Sequence, residues 1–269
     1  GSLDPQHPPA VNVRAIAANR RLGTFASAKR ISRFLANPSL SRTLRIQALY
    51  ALESWPQASQ LDPIDGRYFP VSAGDMDALN AAIGPEIWAL ANDTDDKISR
   101  QAISVLQRIN PDKAKLDQVA GFVLDEKQRS VVRKEWLRLL RKWDLTLFTS
   151  VGAQALTSQS PELRVVAAQE LTEAERGGST VDNYLLATLK NSGDTVELQR
   201  AIKMIPRLTS RKYIIEQLVK DLIAGRIAPE IQLEVLETAT TISRDYPDLK
   251  IQLEHYNNYI KKQDIMTRY

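Results

Sequence analysis

The chain contains no cysteine, only two histidines and few aromatic residues, 6% of the total. Without cysteine there is no disulfide framework, no thiolate zinc site and no cysteine nucleophile. That absence does not fix the compartment, because many exported proteins also lack cysteine. The histidines, His7 in a proline-rich lead-in and His255 near the C-terminal end, support neither a Ser-His-Asp arrangement nor an HExxH zinc site. No GxGxxG or GKS/T loop offers a nucleotide cradle. No apolar run approaches the roughly 20 residues that cross a bilayer, and no signal peptide is visible. No catalytic, cofactor-binding or metal-binding residue can therefore be nominated. The expectation is a protein without enzymatic activity or cofactor of its own.

What is present leans toward helix. Of 269 residues, 43% are apolar and 25% charged, and Leu, Ala and Ile are abundant. The opening Gly1-Ser2 reads as a cloning scar, which implies a segment taken from a longer protein whose signal peptide and further domains lie elsewhere. The net charge of +4 is unevenly placed: residues 1–45 carry Arg14, Arg20, Arg21, Lys29, Arg30, Arg33, Arg42 and Arg45 against Asp4 alone, a surplus of +7. Such asymmetry suits an acidic partner or neighbouring domain. The structural alternative, which we take as the default, is a solvated face whose arginines pair with carboxylates of later helices.

One pattern recurs along the chain: an apolar residue, often an arginine, two residues, a small residue or Trp, then an apolar run. It reads LRIQALYAL (44–52), VRKEWLRLL (132–140) and LRVVAAQEL (163–171), with looser copies at 13–21, 98–106, 197–205 and 231–239. The fifth positions are Ala17, Ala48, Ala102, Trp136, Ala167, Ala201 and Val235, spaced by 31, 54, 34, 31, 34 and 34 residues. All copies but the first follow another short amphipathic segment, at 27–37, 85–93, 116–125, 147–157, 181–191 and 211–225. Breakers such as Asn37-Pro38, Asn110-Pro111, Ser160-Pro161 and Gly193 separate the pairs, and Asp96, Ser130, Ser160 and Asp194 are candidate N-caps. A helix–turn–helix unit cannot bury its own apolar stripe, so such units must stack into a continuous core.

The Val-Arg-x-x-Ala-like core after an Asp or Asn-Pro turn resembles HEAT repeats. That resemblance implies a structural arginine ladder, in which Arg45, Arg133 and Arg164 pair with acidic residues of the turns. The ladder is incomplete, since the last copies lack the arginine. The fold expected is all-α: a right-handed α-solenoid, a HEAT/armadillo-like superhelix, of about seven helix pairs with one long loop insertion. Residues 1–9 form a loose lead-in, residues 10–269 a single domain, 55–71 the insertion and 247–269 a closing helix.

The longest repeat spacing contains WPQASQLDPIDGRYFPV (55–71), with three prolines and no helical period. Loops of this length inside a domain are biased toward function, and the structural alternative of equal weight is an Ω-type loop that covers an exposed helix edge. Trp55, Asp62, Asp65, Arg67, Tyr68 and Phe69 are the candidate docking residues. An Asp62/Asp65 calcium site lacks the regular ligands and closing glutamate of a calcium loop. Residues 35–71 are similar to the HEAT-repeat region of large secreted bacterial dehydrogenase-like proteins, at Asn37, Pro38, Leu44, Arg45, Ala48, Leu49, Ala51, Leu52, Trp55, Pro56, Asp62, Asp65, Gly66, Arg67, Tyr68 and Pro70. In that family a sugar- or sorbosone-dehydrogenase-type propeller, the helical region and a c-type haem domain are joined. The resemblance implies a periplasmic or exported setting, with oxidising chemistry outside this segment.

A second candidate surface is KQRSVVRKEWLRLLRKW (127–143), where Arg133, Lys134, Arg138, Arg141 and Lys142 interleave with Trp136 and Trp143. Such a pattern can grip phosphates and stack bases. Helical-repeat DNA glycosylases are the nearest enzyme analogy. Against this, the tryptophans share the apolar stripe, and +4 is a weak footprint for a nucleic-acid binder. The favoured function is a non-catalytic scaffold for a protein partner or flanking domains of the same polypeptide. Nucleic-acid binding and a free-standing regulatory adaptor are the rivals.

Overall fold

Local capping chemistry sets most helix starts in the computed structural model, which describes residues 2–55, 60–61, 66–68, 74–176 and 178–266, with side chains to residue 258. Helix α1 (Pro9–Leu22) opens on a proline, whose missing N–H would be unpaired there in any case. Helix α2 (Phe25–Leu35) starts with a reciprocal Thr24/Ser27 capping box. Ser41 caps α3 (Arg42–Glu53) and Asp75 caps the short α4 (Met76–Ala82). Helix α5 (Pro85–Leu90) again begins on proline, α6 (Asp96–Leu106) is capped by Asp95 and α7 (Lys113–Leu124) by Asp112. Helix α8 (Ser130–Trp143) has no side-chain cap.

The contacts fall into two compact units, 1–145 and 146–269, where the repeat pattern predicts one domain over 10–269. Stacked repeats touch chiefly their neighbours, so such a chain divides readily into sub-units. In the first unit α1, α3, α6 and α8 pack successively, α2, α5 and α7 lie against them, and α4 packs on α2. The second unit holds α9 (Leu145–Ala155, from its second residue), α10 (Pro161–Glu173), α11 (Gly178–Asn191), α12 (Thr195–Met204), a 3₁₀ turn at Ile205–Arg207, α13 (Arg211–Ile223), α14 (Pro229–Ser243) and α15 (Pro247–Met266). There α10, α12 and α14 pack successively, with α11, α13 and α15 against them.

Every copy of the recurrent sequence pattern lies in one of these successive helices. Its fifth residue is fully buried at Ala48, Ala102, Trp136, Ala167, Ala201 and Val235. A small side chain there lets neighbouring helices approach. Leu49 and Leu52 beside Ala48 are fully buried too, and each such leucine stabilises the core by on the order of 2 kcal/mol.

Three details differ from expectation. Asp96 and Ser130 are first helical residues rather than caps. Asp95 Oδ1 instead accepts from Lys97 N and Ile98 N at 2.9 and 3.2 Å. The lead-in is not loose: the Asn12 amide donates to Asp4 O and His7 O at 2.8 and 3.2 Å, and Asp4 N returns a bond to Asn12 Oδ1. The spacing of 54 residues holds not only a loop but also α4, which packs on α2.

Candidate docking site

The insertion is built on a closed neck. Trp55 follows α3 and is fully buried. Its carbonyl accepts from Gly74 N at 2.9 Å, and its indole N–H donates to Asp75 O at 3.0 Å. Arg20, from the last turn of α1, clamps the same corner. Its Nε and Nη2 donate to Ser54 O at 3.1 and 2.6 Å, Nη2 also reaches Trp55 O at 2.6 Å, and the guanidinium lies 5.1 Å from the Trp55 ring centroid. Burial pulls the Arg20 pKa down to about 10, which leaves it charged at neutral pH. Gly23, at φ 61°, closes α1 in the left-handed conformation, and its carbonyl accepts from Asp75 N.

Gly74 is required by contact rather than by dihedral. A Cβ there would sit 2.5 Å from Trp55 Cδ1 and Nε1 and 2.7 Å from Trp55 O. Beyond the neck, Leu61 and Tyr68 form an isolated antiparallel bridge. Both are open to solvent, at 56% and 64%, and Arg67 is exposed beside them. Of the other candidate docking residues, Asp62, Asp65 and Phe69 lie outside the described residues.

The five candidate basic residues within 127–143 do not share one open face. Arg133 is 1% exposed. It forms a bidentate pair with Glu126 at 2.7 and 2.8 Å and donates to Val123 O. Arg138 pairs with Glu135, and Lys142 donates to Gln107 O. Lys134 and Arg141 are half-buried. Trp136 is fully buried, stacked on Trp88 at 6.0 Å and 8°. Trp143 packs 6.2 Å from the Trp88 ring and donates to Ile109 O.

Arg45 and Arg164 make different pairings. Arg45 reaches Asp93 at 3.3 Å, in the turn before α6, and donates to Pro38 O. Arg164 grips Glu197 of α12 through Nε and Nη2 at 2.7 and 2.6 Å, while its Nη1 donates to Ser158 O. Tyr184 and Ser192 also donate to Glu197, at 2.9 and 2.7 Å. Burial opposes the Glu197 charge, but the bonds from Arg164, Ser192 and Tyr184 outweigh it and hold the carboxyl below its ordinary range. Desolvation, reinforced by Glu197, drives the Tyr184 hydroxyl upward.

The arginine-rich N-terminal segment is partly paired with later carboxylates: Arg42 with Asp95 and Arg45 with Asp93. Arg30 donates instead to Asn19 Oδ1. Arg129 was not singled out from sequence, yet it joins the α8 start to Asp96, Asp93 O and Thr94 O. Its only signal is an arginine directly before a helix whose start lacks a capping side chain.

No protein-family profile and no curated protein matches the chain. Solved structures do. The crystal structure of Kap121p bound to Ste12p aligns with a TM-score of 0.56 and 13% identity, over 90% of this chain and 26% of that one. That of Kap121p bound to Pho4p aligns with a TM-score of 0.55 and 14% identity, with the same coverage. Kap121p is a HEAT-repeat karyopherin. This chain therefore has an all-α HEAT-repeat fold of the solenoid class. It spans about a quarter of the length of the Kap121p chains.

Proposed function

We propose that this chain is a non-catalytic helical-repeat scaffold that holds a protein partner, and that the segment between Trp55 and Gly74 is its docking element. The neck carries the reading. A loop that merely sealed a helix edge would bury its apolar side chains. Here the base is buried and doubly clamped, whereas Leu61 and Tyr68 at the bridge face solvent. A clamped base below an exposed bridge that carries Tyr68 orders contact residues in advance, which lowers the entropy lost on binding. The two solved HEAT-repeat neighbours, each bound to a protein, support the same class of function. Similarity of residues 35–71 to the helical region of exported bacterial dehydrogenase-like proteins makes a flanking domain of the same polypeptide our preferred partner. A coding sequence with neither a propeller nor a haem motif beside this segment would overturn that preference.

Photocrosslinking tests the docking element. Benzoylphenylalanine at position 68 in the source cells is expected to give discrete protein adducts, absent when it replaces Tyr213, which is also highly exposed at 69%. Equal or no adducts at both positions overturn the loop as a docking element. Tight, salt-sensitive binding of duplex DNA in an anisotropy titration would overturn the scaffold reading itself.

A further inference from the structure

A cleft of about 430 Å³ opens in the first unit. Its wall combines Met76 at the first turn of α4, Ile109 and Pro111 from the α6–α7 turn, Leu116 of α7 and Trp143 at the end of α8. The volume lies within the roughly 300–1,000 Å³ usual for ligand clefts. Trp143 already donates its single N–H to Ile109 O at 3.1 Å. What its indole can offer a ligand is therefore ring surface.

The polar part of the lining is cationic. Arg108, which is exposed, and Lys142 line it with the neutral amides Gln107 and Asn110, and there is no carboxylate in the lining among the described residues. Lys142 donates to Gln107 O, but an ammonium group has three donors and can serve a second acceptor. At the adjoining helix starts, one oxygen of each carboxylate is taken up by a helix cap. Asp75 Oδ1 accepts from Asp77 N and Ala78 N at 2.9 and 3.1 Å, and Asp112 Oδ1 accepts from Lys115 N at 2.8 Å.

We infer that this cleft takes an acidic-aromatic peptide segment, with a ring laid against Trp143 and Met76 and a neighbouring carboxylate between Arg108 and Lys142. The inference rests on the scaffold reading only in taking a polypeptide as the occupant. A peptide is favoured over a free aromatic acid by Asn110, whose exposed amide can pair with a peptide backbone.

The test uses the intact chain and fluorescein-labelled pentapeptides read by anisotropy. Asp-Glu-Phe-Asp-Glu is expected to bind in the micromolar range. Lys-Lys-Phe-Lys-Lys and Asp-Glu-Gly-Asp-Glu should each bind at least about tenfold more weakly. Arg108→Glu alters an exposed side chain. Met76→Glu places an acid in a helix first turn, where it suits the helix dipole. Both variants should fold, as circular dichroism will check, and both should weaken the acidic peptide about tenfold. Binding that ignores charge, ignores both variants or is absent overturns the proposal. So does phenylacetate binding as tightly as the peptide. Adducts from position 68 in the unaltered chain, with no binding of the acidic peptide to that same chain, overturn the cleft alone and leave the scaffold reading standing.

Discussion

Gly74→Ala is the sharpest probe of the neck. Two effects of opposite sign compete. At a position of ordinary backbone conformation, Gly→Ala reduces unfolded-chain entropy and stabilises by about 0.4–1 kcal/mol. Against this, the added methyl would meet Trp55 Cδ1, Nε1 and O at 2.5, 2.5 and 2.7 Å. None of these atoms can yield freely. The indole is fully buried, stacked under Arg20 and bonded to Asp75 O, while the carbonyl accepts from both Gly74 N and Arg20. Overpacking of this kind costs roughly 1–3 kcal/mol, and breaking the Gly74–Trp55 bond adds about 1 kcal/mol. The steric term wins, leaving a net loss of roughly 1–3 kcal/mol, or about 2–12 °C in Tm for a unit of this size.

The assay is thermal melting by circular dichroism, with tryptophan emission recorded in parallel. Gly121→Ala is the control. Gly121 lies in α7 and a Cβ there would meet nothing within 4 Å, so alanine should stabilise by up to about 1 kcal/mol. A Gly74→Ala chain that melts at or above wild type, with unchanged emission, would refute the account of the neck. So would equal shifts in both variants.

Glu197→Ala strands the Arg164 guanidinium, the buried Tyr184 hydroxyl and Ser192 without their acceptor. It should cost about 3–5 kcal/mol in denaturant unfolding, less in Glu197→Gln. Acid should act on the same group: with the folded pKa of Glu197 depressed, its stabilisation is complete above the unfolded carboxylate range and lost as pH falls through the folded value. Asp95, held at about 2 chiefly by its bond from Arg42, adds a loss with the same sign between about pH 4 and pH 2. A Tm that stays level from pH 5 to about pH 2 would contradict both. Arg20→Lys keeps the charge but not the planar fork that reaches Ser54 O and Trp55 O, and should cost about 1–2 kcal/mol.

The helices were legible where burial leaves a periodic trace. Ala48, Ala102, Ala167 and Ala201 mark close helix approach because a larger side chain would hold the neighbours apart, and all four are fully buried. Helix α4 was not legible: MDALNAA spans under two turns and buries only Ala78, Leu79 and Ala82, too little to set a period. The cap of α6 slipped by one residue because Asp95 and Asp96 are adjacent acids that local chemistry cannot rank. The neck joins Arg20, Trp55 and Gly74, which are far apart in sequence. Gly74, in Ser-Ala-Gly-Asp, reads as an ordinary loop glycine until Trp55 is placed against it. Arg164 was legible as a pairing arginine, but its partner was not: Glu197 lies inside α12 rather than in a turn, and its acceptor role depends on Tyr184 and Ser192 arriving from other segments.

Hydrogen-bond saturation marks two of the arginine clusters as structural. Glu197 receives two bonds from Arg164 and one each from Tyr184 and Ser192. Its two oxygens are fully engaged inside the fold, so the cluster holds helices rather than ligands. Arg133, clamped by Glu126 and Val123 O, is of the same kind. Arg20 is not: it is 4% exposed, and its Nη1 has no acceptor among the described residues. An unpaired buried donor costs about 1–3 kcal/mol, a penalty that Arg133 and Arg164 avoid. The uncompensated group stands at the base of the segment that carries the exposed Leu61–Tyr68 bridge. Arg45 Nε has no acceptor among the described residues either, so on the proposed reading it is the exposed Leu61–Tyr68 bridge beyond the neck, and not saturation alone, that directs the search for a partner to the insertion.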